Sequence, residues 1–295
     1  MDAPSELIQR MSEPIEPLPA GLPAQFTPMP NLRAVAFDIY GTLFISASGD
    51  ISLASPEDRD IPLREAIVEA GAPADALAGQ DLGERFTKHI QRAHQRARDG
   101  GIAFPEVEIR DTWKELLREI APEWAAGLER EQLEYLAVAY ECRANPVWPM
   151  PHLAGSLMAL REMDIPLGIV SNAQFFTPLL FEAFLGKTPD ALGLIDDLCI
   201  WSYRAGEAKP SRRLFAQLRS ALADLEIGPE DCLYIGNDLR NDVWPAREEG
   251  FRTALFAGDR RSLRLRANDP DCIGVEPDAI LTDLRQIPNI LGRGH

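Results

Sequence analysis

Four short segments of the 295-residue chain each carry an apolar run that ends in a residue able to do chemistry. In the first, Ala34-Val35-Ala36-Phe37 leads into Asp38, and the tight turn Gly41-Thr42 follows. A carboxylate at the carboxyl end of a buried strand sits where α/β proteins gather their ligands, as a nucleophile or a metal ligand. An aspartate there also serves as a cap for the next turn or helix. In the second, Ile165 to Val170 ends in Ser171-Asn172; the hydroxyl can donate to an anionic oxygen, and the pair can equally start a capped helix. In the third, Pro210 restricts Lys209 to an extended conformation at the mouth of a helix over 212–223, which gives an otherwise solvated cation a direction. In the fourth, Cys232 to Ile235 empties into Gly236-Asn237-Asp238, with Asp242 four residues further on. Two carboxylates in such a loop suit a divalent cation, while a helix start near Asn241 is the alternative reading of Asp242.

Acid, Ser-Asn, lysine and acid pair, each at its own strand end, are far more specific together than singly. In that order the sequence resembles the haloacid dehalogenase superfamily of hydrolases, over roughly 32–256. The resemblance implies an α/β fold, a Rossmann-like three-layer parallel sheet with an inserted α-helical cap. It implies that Asp38 attacks the substrate to form a covalent ester which water then hydrolyses. Thr42, Ser171, Asn172 and Lys209 would hold the anionic group of the substrate, and Lys209 would also offset the charge of Asp38. The expected cofactor is Mg²⁺, which prefers six oxygen ligands; Asp38, Asp238 and the backbone carbonyl of Tyr40 would supply part of that shell. A loop shifted by one residue would bring Asp242 to the metal instead. Asn237 and Asn241 would shape the loop.

One position departs from the family's phosphatases. They carry a second aspartate two residues after the nucleophile, as general acid for the leaving alcohol, and Tyr40 stands there in this chain. A phenol with a pKa of about 10 can donate a proton but does not readily exchange it at neutral pH. Asp-x-Tyr-Gly-Thr is similar to the metal-free 2-haloacid dehalogenase branch, where halide leaves without a proton. That branch also needs a cap-side arginine, for which Arg59 and Arg64 are the candidates, whereas the acids of the fourth segment point back to magnesium. The first expectation is Mg²⁺-dependent hydrolysis of a small phosphorylated metabolite, with Asp38, Tyr40 and Lys209 as catalytic residues. The alternatives are a dehalogenase-like hydrolase and a non-catalytic ligand-binding member of the fold.

The spacing of these residues dictates the organisation. The 132 residues between Asp38 and Ser171 are too many for one crossover helix and require an inserted unit. Apolar residues recur at helical spacing over 63–70, 82–98, 107–120 and 129–142. The expected units are an irregular N-terminal arm over 1–31, a core made of 32–50 and 147–295, and a helical cap over 51–146. The proline-rich arm would lie on the surface or on a partner subunit, making a homodimer the candidate assembly.

Composition bounds the remaining classes. With 30 basic against 46 acidic side chains the net charge is −16, so nucleic acid is excluded as a partner and a small anionic substrate needs a locally positive site. No apolar run approaches a membrane span, and no basic-then-apolar leader pattern opens the chain. Cys142, Cys199, Cys232 and Cys272 lack metal-site spacing and read as reduced thiols, so a cytoplasmic location is expected. His89 and His94, five apart, read as solvated helix positions, and Trp113, Trp124 and Tyr135 as core. Trp148 is the aromatic candidate for the pocket, at the return from cap to core. The basic run from Gly258 to Arg266 reads as a surface loop paired internally, with binding of an anion or pairing with acidic residues of a neighbour as the alternatives.

Overall fold

A computed structural model describes residues 3–48 and 55–293. Eight strands form two sheets: β1 (Ala34–Phe37), β2 (Phe44–Ser46), β3 (Val147–Pro149), β4 (Leu167–Ser171), β5 (Leu194–Trp201), β6 (Cys232–Gly236), β7 (Arg252–Phe256) and β8 (Ala279–Leu281). Six of them make one parallel sheet in the order β5-β4-β1-β6-β7-β8, with β1 central between β4 and β6. β1, β4 and β6 are buried at every position, as parallel strands covered on both faces must be. Because the order reverses around β1, the carboxyl ends of β1, β4 and β6 meet at one crevice. The α/β class, the parallel sheet and its Rossmann-like layering match the expectation.

The N-terminal segment differs from it. Residues Pro4–Met11 form a helix, α1, with Leu7 and Ile8 buried in the main core against later helices. Proline at the first helical position and the Ala3–Glu6 capping contact start that helix, and the wholly irregular arm is corrected to that extent. Beyond α1 the segment is irregular, and Gln25 pairs antiparallel with Ile280 at the sheet edge.

β2 and β3 pair antiparallel, Ile45 opposite Trp148, and bracket the inserted helices. These are α2 (Pro56–Glu69), α3 (Leu82–Asp99), α4 (Ile109–Ile120), α5 (Pro122–Ala125) and α6 (Arg130–Ala144). The expected boundary between 50 and 51 lies outside the described residues. α2 begins seven residues before the apolar periodicity does, because Ser55 and Asp58 form a capping box ahead of it. α4 begins at Ile109 rather than 107, with Glu108 as its cap. The preceding stretch instead lies beside the loop before Lys209: Pro105 pairs antiparallel with Glu207, and the Ala208 amide donates to the Phe104 carbonyl at 2.8 Å.

The chain then continues through α7 (Leu153–Glu162), α8 (Leu179–Leu185), α9 (Ser202–Ala205), α10 (Arg212–Ala223), α11 (Trp244–Glu248) and α12 (Ile287–Ile290), which alternate with strands β4 to β8. No helix among the described residues is long and apolar enough to cross a membrane.

Several residues part from the sequence reading. His89 is buried, with its ring nitrogens 3.3 Å from Glu115 and 2.9 Å from Glu119. Trp148 packs edge-on against Phe184, so it supports the β2–β3 ribbon rather than the pocket. Trp113 is fully buried between Phe86 and Tyr140, as core. Its indole nitrogen has no hydrogen-bond partner among the described residues. Trp113→Ala is therefore expected to cost about 3–5 kcal/mol in urea unfolding. Trp113→Phe should cost far less, because it keeps the ring and removes an unpaired N–H.

Candidate active site

Asp38 follows β1, and its amide donates to the Ile235 carbonyl of β6 at 2.9 Å, which locks the loop that carries it to the neighbouring strand. Its Oδ1 accepts the Ser171 hydroxyl at 2.8 Å and the Lys209 Nζ at 2.7 Å. Lys209 Nζ also donates to Asp242 Oδ1 at 2.6 Å. The result is a buried carboxylate–ammonium–carboxylate triad assembled from the loops after β1 and β6 and the loop that follows α9. Burial alone would lower the Lys209 pKa, but the Asp242 and Asp38 carboxylates outweigh it and hold the amine above its ordinary value. Burial pushes Asp242 up to about 6 against the opposing pull of Lys209. The Tyr234 hydroxyl, 3.0 Å from Asp242 Oδ1 and 2.8 Å from the Val170 carbonyl, closes the far side.

Two glycines make this possible. A Cβ on Gly236 would fall 2.3 Å from Asp242 Cγ, so glycine there lets the carboxylate reach the lysine. Gly41 has φ +85°, and a Cβ on it would lie 2.4 Å from Ser262 Cβ and 2.7 Å from Asn237 Nδ2. Three segments thus meet at the loop after Asp38.

Each expected site residue can now be placed. Asp38, Tyr40, Asn172, Lys209, Asp238 and Asp242 line a cavity of about 800 Å³ between the strand ends and the inserted helices. Ser171 is fully buried and turns its hydroxyl to Asp38 rather than outward. Thr42 is also fully buried and donates to Asn237 Oδ1 at 3.1 Å, bracing the loop instead of facing the cavity. Asn172 orients Lys209 by accepting its amide at 2.7 Å. Tyr40 lies 3.0 Å from the Thr177 hydroxyl, and burial followed by the nearby Glu141 raises its phenol far above the ordinary range. So high a value weakens it as a proton donor.

The expected magnesium shell does not fit this arrangement. Asp238 Oδ1 accepts the amides of Arg240 and Asn241 and Nε of Arg266; its Oδ2 accepts Asn241 Nδ2 and, at 2.5 Å, the second arm of Arg266. Asp242 is held by Lys209, Tyr234 and the Asp238 amide. Asn237 is spent on Thr42 and the Ser262 carbonyl. Among the described residues Asp38 Oδ2 and the Tyr40 backbone carbonyl accept no hydrogen bond, but both carboxylates expected from the fourth segment are engaged, so the second acidic ligand of the expected shell is missing. No group of three acidic, histidine or cysteine side chains able to hold a metal occurs among the described residues.

Sequence reasoning missed several side chains of the cavity. Arg264 and Arg266 enter it from the run after β7, read from sequence as a surface loop. Arg59 also lines it, whereas Arg64 is turned away to the carbonyls of Leu77 and Gln80. Glu106 and Glu141 face the cavity too, and burial raises each to about 7. Ser202 and the Val107 amide pull Glu106 back only partly, and Asn145 and Arg59 do the same for Glu141. The signal for Glu106 was the Pro105 break ahead of the helix; for Glu141, within helical periodicity, there was none.

Comparison with known proteins places the chain in a family. Residues 32–262 match the family of haloacid dehalogenase-like hydrolases. Phosphoglycolate phosphatase of Escherichia coli (strain K12) is 25% identical over 273 residues, covering 90% of this chain and 94% of that protein. The phosphoglycolate phosphatase of Photorhabdus laumondii is 27% identical over 247 residues, covering 82% and 88%. Among solved structures, a 2-haloacid dehalogenase from Pseudomonas syringae pv. Tomato DC3000 superposes with a TM-score of 0.56 at 20% identity, over 89% of this chain and 99% of that one.

The two raised carboxyls predict a pH dependence of stability. Their ordinary value is 4.5 and their folded value about 7, so between these limits the folded protein holds protons that the unfolded chain has lost. Stability is then full below about pH 4.5 and falls as pH rises through 7, by at most about 3 kcal/mol for each group. Urea unfolding at pH 5 and at pH 7.5 should show the drop, and Glu106→Gln should shrink it.

Proposed function

The chain belongs to the haloacid dehalogenase-like hydrolases, and from that premise we propose that it hydrolyses a small phosphate ester through a covalent intermediate on Asp38. The observation that carries this reading is the open Oδ2 of Asp38 at the cavity, with Oδ1 fixed by Ser171 and Lys209. Oδ2 attacks phosphorus and the bond to the leaving oxygen breaks, which leaves an aspartyl phosphate. Water then cleaves that bond, releasing phosphate and restoring the carboxylate. Lys209 limits repulsion between the nucleophile and the incoming anion.

The substrate anion needs further cations, and the cavity supplies them. Arg98 and Arg264 both line it, and neither has a carboxylate partner within salt-bridge distance among the described residues. Arg264 is held by the carbonyls of Arg261 and Leu263, which fix its direction without spending its charge. The leaving oxygen needs a proton that Tyr40 is poorly placed to give; Glu106 and Glu141, raised to about 7 by burial, are the carboxyls of the cavity able to give it. The similarity to phosphoglycolate phosphatases supports a compact phosphorylated acid as substrate class.

A second reading, displacement of halide from a small haloacid, is favoured by Tyr40, since halide leaves without a proton. The two readings separate in a release assay with small phosphorylated carboxylic acids, an activated aryl phosphate and 2-haloacids. Phosphate release is expected, with loss of about 10³-fold or more in Asp38→Asn and a raised KM in Arg264→Met. Halide release without phosphate release would move the assignment to the second reading, and unchanged turnover in Asp38→Asn would remove the nucleophile from both.

A further inference from the structure

The segment after β7 does more than line the cavity. Its backbone is joined to the loop after β6: the Arg264 amide donates to the Asn237 carbonyl at 2.9 Å, and the Leu239 amide donates to the Arg264 carbonyl at 2.9 Å. That pairing brackets Asp238 and delivers Arg266 to it. The guanidinium meets both carboxylate oxygens, Nε to Oδ1 at 3.0 Å and Nη2 to Oδ2 at 2.5 Å, in the two-pronged geometry that makes arginine–carboxylate contacts strong and directional. Asp238 is 6% exposed, so its carboxylate is shielded from competing water, while the Arg266 side chain stays 31% exposed on the cavity side.

From this geometry we infer that Arg266 is the built-in cation of the active site, standing where the acidic loop would otherwise hold a divalent metal, and that the reaction needs no metal ion. Three independent features converge on it. Asp238 caps the turn that begins at Leu239, so its oxygens are anchored to amides as well as to Arg266. The neighbouring position is Asn237, an amide with no charge to offer a cation, and its donor and acceptor are already used by Ser262 and Thr42. A divalent ion beside Asp238 would also lie against the Arg266 guanidinium, and that repulsion opposes binding. Lys209 and Arg266 together then balance most of the charge of Asp38, Asp238 and Asp242, leaving a modest negative excess for Arg98 and Arg264 to offset on the substrate side.

This inference concerns the site of the proposed hydrolysis but is tested by ion binding, so its failure leaves that reading standing, and failure of that reading leaves this one standing. Mn²⁺ is the probe, as a paramagnetic stand-in for Mg²⁺, followed by loss of the free-ion electron paramagnetic resonance signal on titration into the protein. The wild type is expected to leave the free-ion signal undiminished. Arg266→Gln, which frees the Asp238 oxygens, is expected to remove one equivalent of it, and Arg266→Gln/Asp238→Asn to restore it. One bound equivalent in the wild type, or none in a folded Arg266→Gln, overturns the inference. Should Arg266→Gln fail to fold by circular dichroism, the wild-type titration decides alone.

Discussion

The contact on which the rest of the site depends is a single ammonium shared by two buried carboxylates. Lys209 lies within 2.7 Å of Asp38 and 2.6 Å of Asp242, and all three side chains are nearly sealed from water. Removing one member of such a group leaves an uncompensated buried charge, at a cost of about 3–5 kcal/mol. That energy is tolerable because the sheet places the three residues without adjustment. β1 sits between β4 and β6, so Asp38, Ser171 and the Gly236 turn arrive at one crevice as neighbouring strand ends. The side chain of Asp242 folds back over Gly236, where any larger residue would occupy its place.

Around that triad the cavity is arranged by segments remote in sequence. The stretch beside Pro105 runs along the loop that carries Lys209 and brings Glu106 to the Ser202 hydroxyl at 2.8 Å. The segment after β7 is stitched to the loop after β6 and brings Arg264 and Arg266. A protein of net charge −16 therefore gathers several cations at one cavity, Arg264 and Arg266 among them, through backbone pairing rather than composition. The same cavity holds two carboxyls, Glu106 and Glu141, that burial raises to about 7.

Most of the fold was legible because it rests on local signals. Apolar runs bounded by polar turns mark β1, β4 and β6, and helical periodicity marks the inserted helices. The four strand-end residues were legible too, since a strand end and its turn lie within a few residues. What could not be read were partnerships across the chain. Arg266 and Asp238 are 28 residues apart and meet only through the Asn237–Arg264 pairing, so the basic run looked like surface and the acid looked free for a metal. The positions of Ser171 and Thr42 were legible, but Ser171 turns to Asp38 and Thr42 to Asn237 rather than outward to the cavity. The helix at Pro4–Met11 was obscured by the prolines that follow it, and Leu7 and Ile8 gain their stability from tertiary burial.

The central claim, that Asp38 forms a covalent bond with the substrate, is tested most directly by acid-quenching a single turnover and locating any added mass by peptide mapping. The account predicts a phosphoryl increment on the peptide that contains Asp38, absent from Asp38→Asn. Turnover accompanied by an increment on another residue, or by none at any quench time at which substrate is being consumed, would contradict it.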